Sequence, residues 1–365
     1  MFNDILLDVV ETETYKLKGN VLEKTFFFHN VRIICQTNHP AIVAILDEML
    51  GIFPEPEQLQ GEVTYSINCY ENPMQFPIQL PISRKRTETV RLLTNTKLKY
   101  YQDLISMTEY QSYEALQSVN GVVLTAISQT QNFVLTQLEM PNLYQTAFLR
   151  RYVFLLALGQ LMGRFGFEPC HAAAITAPWD DHQGALILGE SGSGKTTLSL
   201  ECACLGCGFL GDDIVMLHSN VGDGSISAYA ITHEFAVRTS SLALWEPFNF
   251  LHSYPADMRD KRYCSIEQLR SGTSRLNTPI RLLLFPSLTT KNRSVISLMS
   301  KSHALQLLIE KCISTTRRNV QAQEQLFSFL SQLAEQTLSY QLEIAQNACD
   351  GPQIVLSLLT GGQND

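Results

Sequence analysis

The residues from Gly189 to Thr196 have the types and the spacing needed to bind phosphate. They spell Gly-Glu-Ser-Gly-Ser-Gly-Lys-Thr, which fits the pattern G-x-x-x-x-G-K-[ST] at every required position. In this pattern glycines let backbone N–H groups meet phosphate oxygens, a lysine supplies positive charge and a hydroxyl reaches Mg²⁺. We therefore expect the nucleotide to contact Gly189, Glu190, Ser191, Gly192, Ser193, Gly194, Lys195, Thr196 and Thr197.

The segments on either side of this loop supply the structural context that a phosphate site needs. Residues 184–188 form a short apolar run, which predicts a buried parallel strand. Residues 197–204 have helical spacing, so the N-terminus of that helix would face the phosphates. Strand, loop and helix in this order predict a site for a nucleoside triphosphate.

An acidic pair follows the loop at a distance suited to metal binding. Asp212 and Asp213 come sixteen residues after Thr196, inside the apolar stretch 208–217. We expect this stretch to be a strand one position away from the loop strand. One carboxylate could orient Mg²⁺ and the other could exchange a proton with a substrate hydroxyl, and the sequence leaves open which does which. Neighbours on a strand point to opposite faces, so a shared role would require a bend here.

Other groups that could do chemistry have ordinary structural explanations. His171 lies on an apolar strand and is compatible with either a structural or a catalytic role. Asp180 and Asp181 are expected at a hairpin tip. The cysteines at 202, 204 and 207 would diverge on a helix, so small buried side chains are favoured over a metal site.

Composition places the chain among globular proteins of two domains. The chain has 365 residues, and we expect a mixed α/β domain over 1–140 and a domain bearing the phosphate loop over 141–365. A net charge of −8 argues against nucleic acid as a partner. The apolar stretch 152–162 is too short to cross a bilayer, so no membrane partner is expected. Nine cysteines without a secretory signal predict a cytoplasmic protein with reduced thiols.

Hydrophobic periodicity predicts alternating strands and helices, and hence the α/β class. The predicted strands cover 25–35, 62–69, 121–126, 132–137, 170–176, 184–188, 226–231, 279–285, 294–298 and 338–344. The predicted helices cover 40–50, 141–165, 197–204, 301–312, 318–335 and 353–359.

Three motifs in sequence resemble the HPr kinase/phosphorylase family, whose fold is shared with phosphoenolpyruvate carboxykinases. They are His171-Ala-Ala-Ala, the loop 189–196 and Phe209-Leu-Gly-Asp-Asp213. The chain is most similar to HPr-kinase-like proteins of modified-peptide gene clusters, including lasso-peptide kinases. The resemblance extends from about residue 20 to the end, but specific motifs occur only within 170–217.

This resemblance implies ATP-dependent phosphorylation of a serine hydroxyl on a peptide or protein, with a homo-oligomer as one option. It implies Mg²⁺ near Thr196 and one aspartate, taken here as Asp212, with the other aspartate as general base and His171 close to the phosphates. Lys195 would stabilise the transferred phosphoryl group. Family members place basic residues near nucleotide or substrate at positions corresponding to Arg238, Lys261 and Arg262, which could equally be surface charges.

Two departures from the family limit what the resemblance carries. The loop ends in Gly-Lys-Thr-Thr rather than Gly-Lys-Ser followed by glutamate, although threonine serves a metal as well as serine does. The glutamate-arginine-glycine segment tied to the reverse reaction is not evident, and residues 234–238 echo it without the glycine. This departure leaves open whether the chain has the reverse, dephosphorylating activity.

Two other functions remain open at this point. A kinase for small molecules, or a carboxykinase-like phosphotransferase, would use the same loop with a cationic pocket. A nucleotide switch would bind ATP without turnover. The C-terminal Leu-Thr-Gly-Gly-Gln echoes a transporter signature, but no acidic strand follows it, so the order excludes a transport ATPase.

Overall fold

The chain folds into two compact units of helices and mixed sheets. The computed structural model describes residues 21–71, 88–89, 105–110, 113–118, 123–128, 131–139, 150, 154–220, 222–242, 246–256, 260–312, 320–345 and 350–361. The first unit ends at Phe165 and the second begins at Gly166. This architecture confirms the predicted α/β class.

The first unit is built on one sheet. Its strands are β1 (Leu22–Phe28), β2 (Val31–Thr37), β3 (Gly61–Tyr70), β4 (Glu88–Thr89), β5 (Ile105–Tyr110), β6 (Tyr113–Ser118), β7 (Val123–Ser128) and β8 (Phe133–Glu139). Within the described residues they are ordered β1-β2-β3-β8-β7-β6-β5-β4, and β3 runs parallel to both of its neighbours. Its helices are α1 (Pro40–Leu50) and α2 (Leu155–Met162), the latter followed by a 3-10 turn at Gly163–Phe165.

Helix α2 lies within its predicted segment but belongs to the first unit. The sequence predicts a helix over 141–165, and the described residues of this segment are all helical: Leu155–Met162 is an α-helix, Gly163–Phe165 is a 3-10 turn, and positions 150 and 154 have π-helical backbone. Residues 141–149 and 151–153 lie outside the described residues. The helix belongs to the first unit, although the predicted boundary at residue 140 assigns it to the second domain. The boundary itself remains a prediction.

The second unit carries the predicted phosphate loop. Its strands are β9 (Glu168–Cys170), β10 (Ala172–Thr176), β11 (Gly184–Leu188), β12 (Gly208–Gly211), β13 (Val215–Ser219), β14 (Ile226–Tyr229), β15 (Glu234–Arg238), β16 (Lys261–Ser265), β17 (Asn277–Thr289), β18 (Val295–Leu298) and β19 (Leu338–Ala345). Its helices are α3 (Lys195–Cys204), α4 (Thr239–Leu242), a 3-10 helix at Glu246–Ser253, α5 (Ile266–Leu269), α6 (Lys301–Cys312), α7 (Val320–Gln336) and α8 (Gly351–Leu359).

A twisted sheet organises the second unit in three layers. In the described chain its strands are ordered β12-β10-β11-β17-β14-β13-β9, with β19 also pairing with β17 and with β18. The loop strand β11 is parallel to β17, as predicted, but antiparallel to β10. Because side chains alternate along a strand, Ile187 packs on one face of the sheet and Leu186 on the other. Helices α3 and α8 cover the first face, and α6 and α7 cover the second.

Two predicted strands of this sheet are interrupted, and the two breaks contact each other. The predicted strand 170–176 breaks at His171, so that Cys170 pairs with β13 while Ala172 pairs with β11. The predicted strand 208–217 breaks after Gly211, and the acidic pair therefore lies in a turn and not inside a strand. Strand β12 is also two positions from β11, with β10 between them, which corrects the expectation that it is the next strand.

Among the described residues, no helix has both the length and the apolar character required to cross a bilayer.

Candidate active site

The phosphate loop has the backbone geometry that its glycines predict. It connects the end of β11 to the start of α3, and Gly194 is the residue that caps the helix. Gly192 and Gly194 have φ angles of +87° and +94°, a region in which side chains with a Cβ are strained. A Cβ at Gly192 would meet no atom within 4 Å, so the loop has open space on that side.

Lys195 is buried and lies along the inside of the loop. Its ammonium donates hydrogen bonds to the carbonyl oxygens of Gly189, at 2.8 Å, and Glu190, at 3.0 Å. Burial lowers the pKa of Lys195, while the nearby Asp212 and Asp213 act in the opposite direction. The ammonium thus contacts two neutral carbonyl oxygens, and the carboxylates lie further away. A charged phosphate oxygen would be a stronger hydrogen-bond partner than these carbonyls.

The side chain of Asp212 lies beside the loop. Thr196 Oγ1 donates to the Asp212 carboxylate, with distances of 3.0 Å to Oδ1 and 3.1 Å to Oδ2. The backbone N–H of Ala236 also donates to Oδ2 at 3.4 Å. Burial, followed by the negative charge of Asp213, raises the pKa of Asp212 to about 6.

Asp213 faces a different set of groups because the backbone turns sharply at this residue. Its φ angle is +72°, which is unusual for a residue with a side chain. Its carboxylate forms an ion pair with Lys261 at 2.9 Å, in which the two side chains are 20% and 14% exposed. The bend thus gives the two aspartates separate partners while both stay in one site. On a regular strand the two side chains would point to opposite faces of the sheet.

His171 fixes this turn from the interrupted strand opposite. Its Nδ1 lies 2.6 Å from the carbonyl oxygen of Asp213. A carbonyl can only accept, so we assign the proton to Nδ1. Burial lowers the pKa of His171, which favours the neutral ring. In this structure the histidine orients the acidic turn, whereas the resemblance places it close to the phosphates.

A two-stranded ribbon, formed by β15 and β16, brings basic side chains to the loop and the acidic turn. Arg238 and Lys261 are paired across its end. The Arg238 guanidinium lies 3.5 Å from Ser191 Oγ in the loop, and Lys261 contacts Asp213. Arg262, one residue along β16, instead donates to the carbonyl of Tyr254 and to Thr239, so the structure does not bring it to the loop.

A second lysine reaches the loop from α6, and the sequence reasoning missed it. The buried ammonium of Lys311 donates to the carboxylate of Glu190. This hydrogen bond is the main cause of the lowered pKa of Glu190. A signal was present, because Ala304, Leu308 and Lys311 follow the spacing of the buried stripe of this helix.

The other polar groups singled out in the sequence are the hairpin aspartates and the three clustered cysteines. Asp181 is at the tip of the β10–β11 hairpin, as expected, and pairs with Arg275 at 2.7 Å. Cys202 and Cys207 are buried and Cys204 is partly exposed. Across the described ranges, no cluster of three or more His, Cys, Asp or Glu side chains has the arrangement of a metal site.

The residues of the loop fit a polyphosphate chelated to Mg²⁺. Of the described buried polar atoms, Ser193 Oγ is one that has no hydrogen-bond partner. The Thr196 hydroxyl and the Asp212 carboxylate are the hard oxygen ligands that Mg²⁺ prefers, and one or two such groups suffice when phosphates complete the shell. Burial and the neighbouring Asp213 raise the pKa of Asp212, and a divalent cation bound there would stabilise its ionised form.

Fold and site together define an α/β protein with a strand, a phosphate-binding loop and a helix facing an acidic turn. No protein-family model and no curated protein matches the chain. Among solved structures, it is similar to the HPr(Ser) kinase/phosphatase from Coxiella burnetii, with a TM-score of 0.31 and 11% identity over 53% of this chain and 89% of that chain. The likeness is too weak to assign a function, which must be argued from the site.

Proposed function

We propose that this protein is an ATP-dependent kinase that transfers the γ-phosphoryl group to a hydroxyl, most simply a serine hydroxyl of a peptide or protein. The observation that carries the proposal is the hydrogen bond from Thr196 to Asp212, 3.0 Å long, because it joins the phosphate loop to the acidic pair. The second carboxylate of the pair, Asp213, has a different partner, Lys261, and would be available as a proton acceptor. The resemblance to HPr-kinase-like proteins supports the same proposal.

The two aspartates would have different chemical roles because their surroundings differ. Asp212 is buried and bonded to Thr196, so it would hold Mg²⁺ together with that hydroxyl. Mg²⁺, when bound there, would neutralise negative charge that develops on the phosphate oxygens. Asp213 is partly exposed and therefore accessible to a substrate, and it would take the proton of the attacking hydroxyl.

The other residues position the reacting groups and balance their charge. Lys195 would turn from its two loop carbonyls to the β- and γ-phosphates. Lys261 balances the Asp213 carboxylate, and His171 holds the carbonyl of the same residue. As the hydroxyl oxygen bonds to the γ-phosphorus, its proton passes to Asp213 and ADP leaves. Catalysis would then come mainly from position and charge stabilisation.

A transfer assay tests this proposal. The protein is incubated with ATP labelled in the γ-phosphate, Mg²⁺ and serine-containing peptides, and products are identified by mass spectrometry. We expect a peptide heavier by one phosphoryl group. The rate should fall by a factor of about 10² or more in Lys195→Ala and in Asp213→Asn, since each removes a group that acts in the transition state.

Asp181→Asn is the matched control. Like Asp213, Asp181 forms an ion pair with a basic side chain, but at the opposite end of β11. This variant should transfer phosphate at the normal rate. If labelled phosphate is transferred to small metabolites and never to peptides, the protein is a small-molecule kinase and not a peptide kinase. Binding of ATP without transfer to any acceptor would leave a nucleotide switch.

A further inference from the structure

Lys311 occupies a position in which lysine is seldom found. Its side chain is 8% exposed and lies at the last turn of α6, on the stripe that packs against the sheet. A buried ammonium is unfavourable unless a partner compensates for its lost hydration. The backbone carbonyls at the end of a helix favour a cation there, but by a small amount.

The carboxylate that pairs with Lys311 is not a buried structural partner. Glu190 is 56% exposed and is the second residue of the phosphate loop. An exposed carboxylate keeps most of its hydration and contributes little net stability through an ion pair. It can also leave the pair at small cost, whereas the lysine cannot leave its position.

The packing around Lys311 fixes the lysine relative to the site. The next residue, Cys312, places its sulfur 3.3 Å from that of Cys170, which directly precedes His171. The backbone of Lys311 is therefore anchored beside the site when the exposed carboxylate moves.

The charges of the loop conflict with the binding of an anion. The hydrogen bond from Lys311 lowers the pKa of Glu190, and the charges of Lys311 and Lys195 act in the same direction. Glu190 is thus ionised at neutral pH and places a negative charge in a loop whose ligand is itself strongly negative. Repulsion between them would weaken binding unless the carboxylate withdraws.

We propose that Lys311 is a second phosphate-binding lysine and that the Glu190 carboxylate is its removable counter-ion, displaced when the polyphosphate of a nucleoside triphosphate enters the loop. This proposal rests on the proposed function for the identity of the ligand. No covalent bond changes: one anion replaces another on the same ammonium. Displacement would move the carboxylate toward solvent and give the buried lysine a partner with more negative charge.

Direct binding measurements on the full-length protein distinguish this exchange from a structural ion pair. Isothermal titration calorimetry would use two probes, MgATP and inorganic tripolyphosphate, the second of which lacks base and ribose. Glu190→Gln should tighten the binding of both probes about 3- to 10-fold, because it leaves the ammonium without a competing carboxylate. Lys311→Met should weaken both by about tenfold or more. Adding Glu190→Gln to Lys311→Met should tighten binding less than Glu190→Gln does in the wild type, because only the repulsion between the carboxylate and the polyphosphate is then relieved.

Matched variants control for charge and for folding. Glu310→Gln removes an exposed carboxylate one residue before Lys311, and Lys24→Met removes a lysine paired with Asp47 in the first unit; both should bind as the wild type does. Lys311→Arg, which keeps the positive charge, should lose less affinity than Lys311→Met. Circular dichroism verifies that each variant is folded, and if Lys311→Met is not, Lys311→Gln takes its place in the same comparison.

If Glu190→Gln binds the two probes with unchanged or lower affinity, the exchange is overturned and Lys311 and Glu190 form a structural ion pair. Equal affinities of Lys311→Met and wild type overturn it as well. The two proposals can fail separately. If the affinities for tripolyphosphate follow the expected order across the variants but the wild type transfers no phosphate, the exchange stands and the proposed kinase activity is refuted. If the wild type binds neither probe, both proposals are refuted.

Discussion

At the scale of single residues, several groups of the site are in energetically unfavourable states. Asp212 is buried with its pKa raised to about 6, Lys195 is buried with its pKa lowered, and Asp213 holds a left-handed backbone. Each of these lowers the stability of the ligand-free protein. Such a concentration at one loop is typical of a functional site, where a ligand supplies the missing charge.

Replacing Asp212 by asparagine should stabilise the ligand-free protein above about pH 6. The ordinary pKa of 3.8 rises to about 6 on folding, so the folded state binds the proton more tightly than the unfolded state does. The contribution of a protonated Asp212 is complete below about pH 4 and is lost as the pH rises through about 6. Two pKa units correspond to about 3 kcal/mol. Asparagine is neutral at every pH and avoids this loss.

Chemical denaturation at pH 5 and pH 8 measures the effect. The free energy of unfolding of Asp212→Asn should exceed that of wild type by more at pH 8 than at pH 5, while stabilisation by MgATP should fall. Asp181→Asn, which removes an exposed carboxylate from an ion pair, is the control for the same change of residue type away from the loop. A variant less stable than wild type at pH 8 would contradict the account of Asp212.

Residue types alone indicated part of this site. The pattern at 189–196 and the acidic pair were sufficient to predict the loop and its neighbour, and the structure joins them through Thr196 and Asp212. Lys311 could not be assigned to the loop from sequence, since 121 positions separate it from Glu190. Arg262 was grouped with Lys261, but neighbours on β16 point to opposite faces, and only Lys261 reaches the acidic turn.

At the scale of elements, local patterns predicted helices and strands better than the pairing between strands. The helices at 40–50 and 301–312 have the predicted bounds, since each has a full amphipathic stripe. The ribbon of β15 and β16 was not predicted as a pair. Its strands are joined only by a long connection, and periodicity gives no information about which distant strand is the partner.

The strand breaks at His171 and after Gly211 also could not be predicted from periodicity. Apart from His171 and the acidic pair, both segments are mainly apolar, and an apolar run continues to indicate a strand while the chain changes its hydrogen-bonding neighbour. The breaks create the site, because they direct the histidine and the acidic turn toward each other.

The junction between the loop and α3 gives a prediction about an element boundary. Gly194→Ala should destabilise the protein by roughly 1–2 kcal/mol, because Gly194 has a φ angle of +94° and alanine is strained there. The added Cβ would also lie 3.2 Å from Leu288 Cδ2, so the Leu288 side chain must give way by a few tenths of an ångström. Affinity for MgATP should fall at least about tenfold, as the backbone N–H groups lose their common direction.

Thermal unfolding and calorimetric titration measure both effects. Gly163→Ala is the matched substitution, since Gly163 has a helical φ angle of −55° and a Cβ there would meet nothing within 4 Å. It should leave MgATP binding unchanged and keep or slightly raise stability. Equal behaviour of the two variants would show that the loop does not depend on the conformation of Gly194.

At the scale of the whole molecule, the groups proposed for catalysis belong to one of the two units. The loop, the acidic turn, the ribbon and α6 all follow Gly166 in the chain. The first unit has its own core, in which Tyr65, Ile67 and Leu135 are almost completely buried. The sequence gives no residue-level reason for the first unit to bind nucleotide, and the described part of its sheet shows none.

Hydrogen exchange followed by mass spectrometry should therefore detect MgATP in only one unit. Ligand binding slows local opening of the elements that it contacts, so amides of 184–200, 208–215 and 234–238 should gain protection. Amides of the central strands β2, β3 and β8 should exchange at the same rates with and without nucleotide. Lys195→Ala, which removes the loop ammonium, should abolish the difference. Protection of β2, β3 or β8 by MgATP would assign part of the nucleotide site to the first unit and refute its confinement to the second.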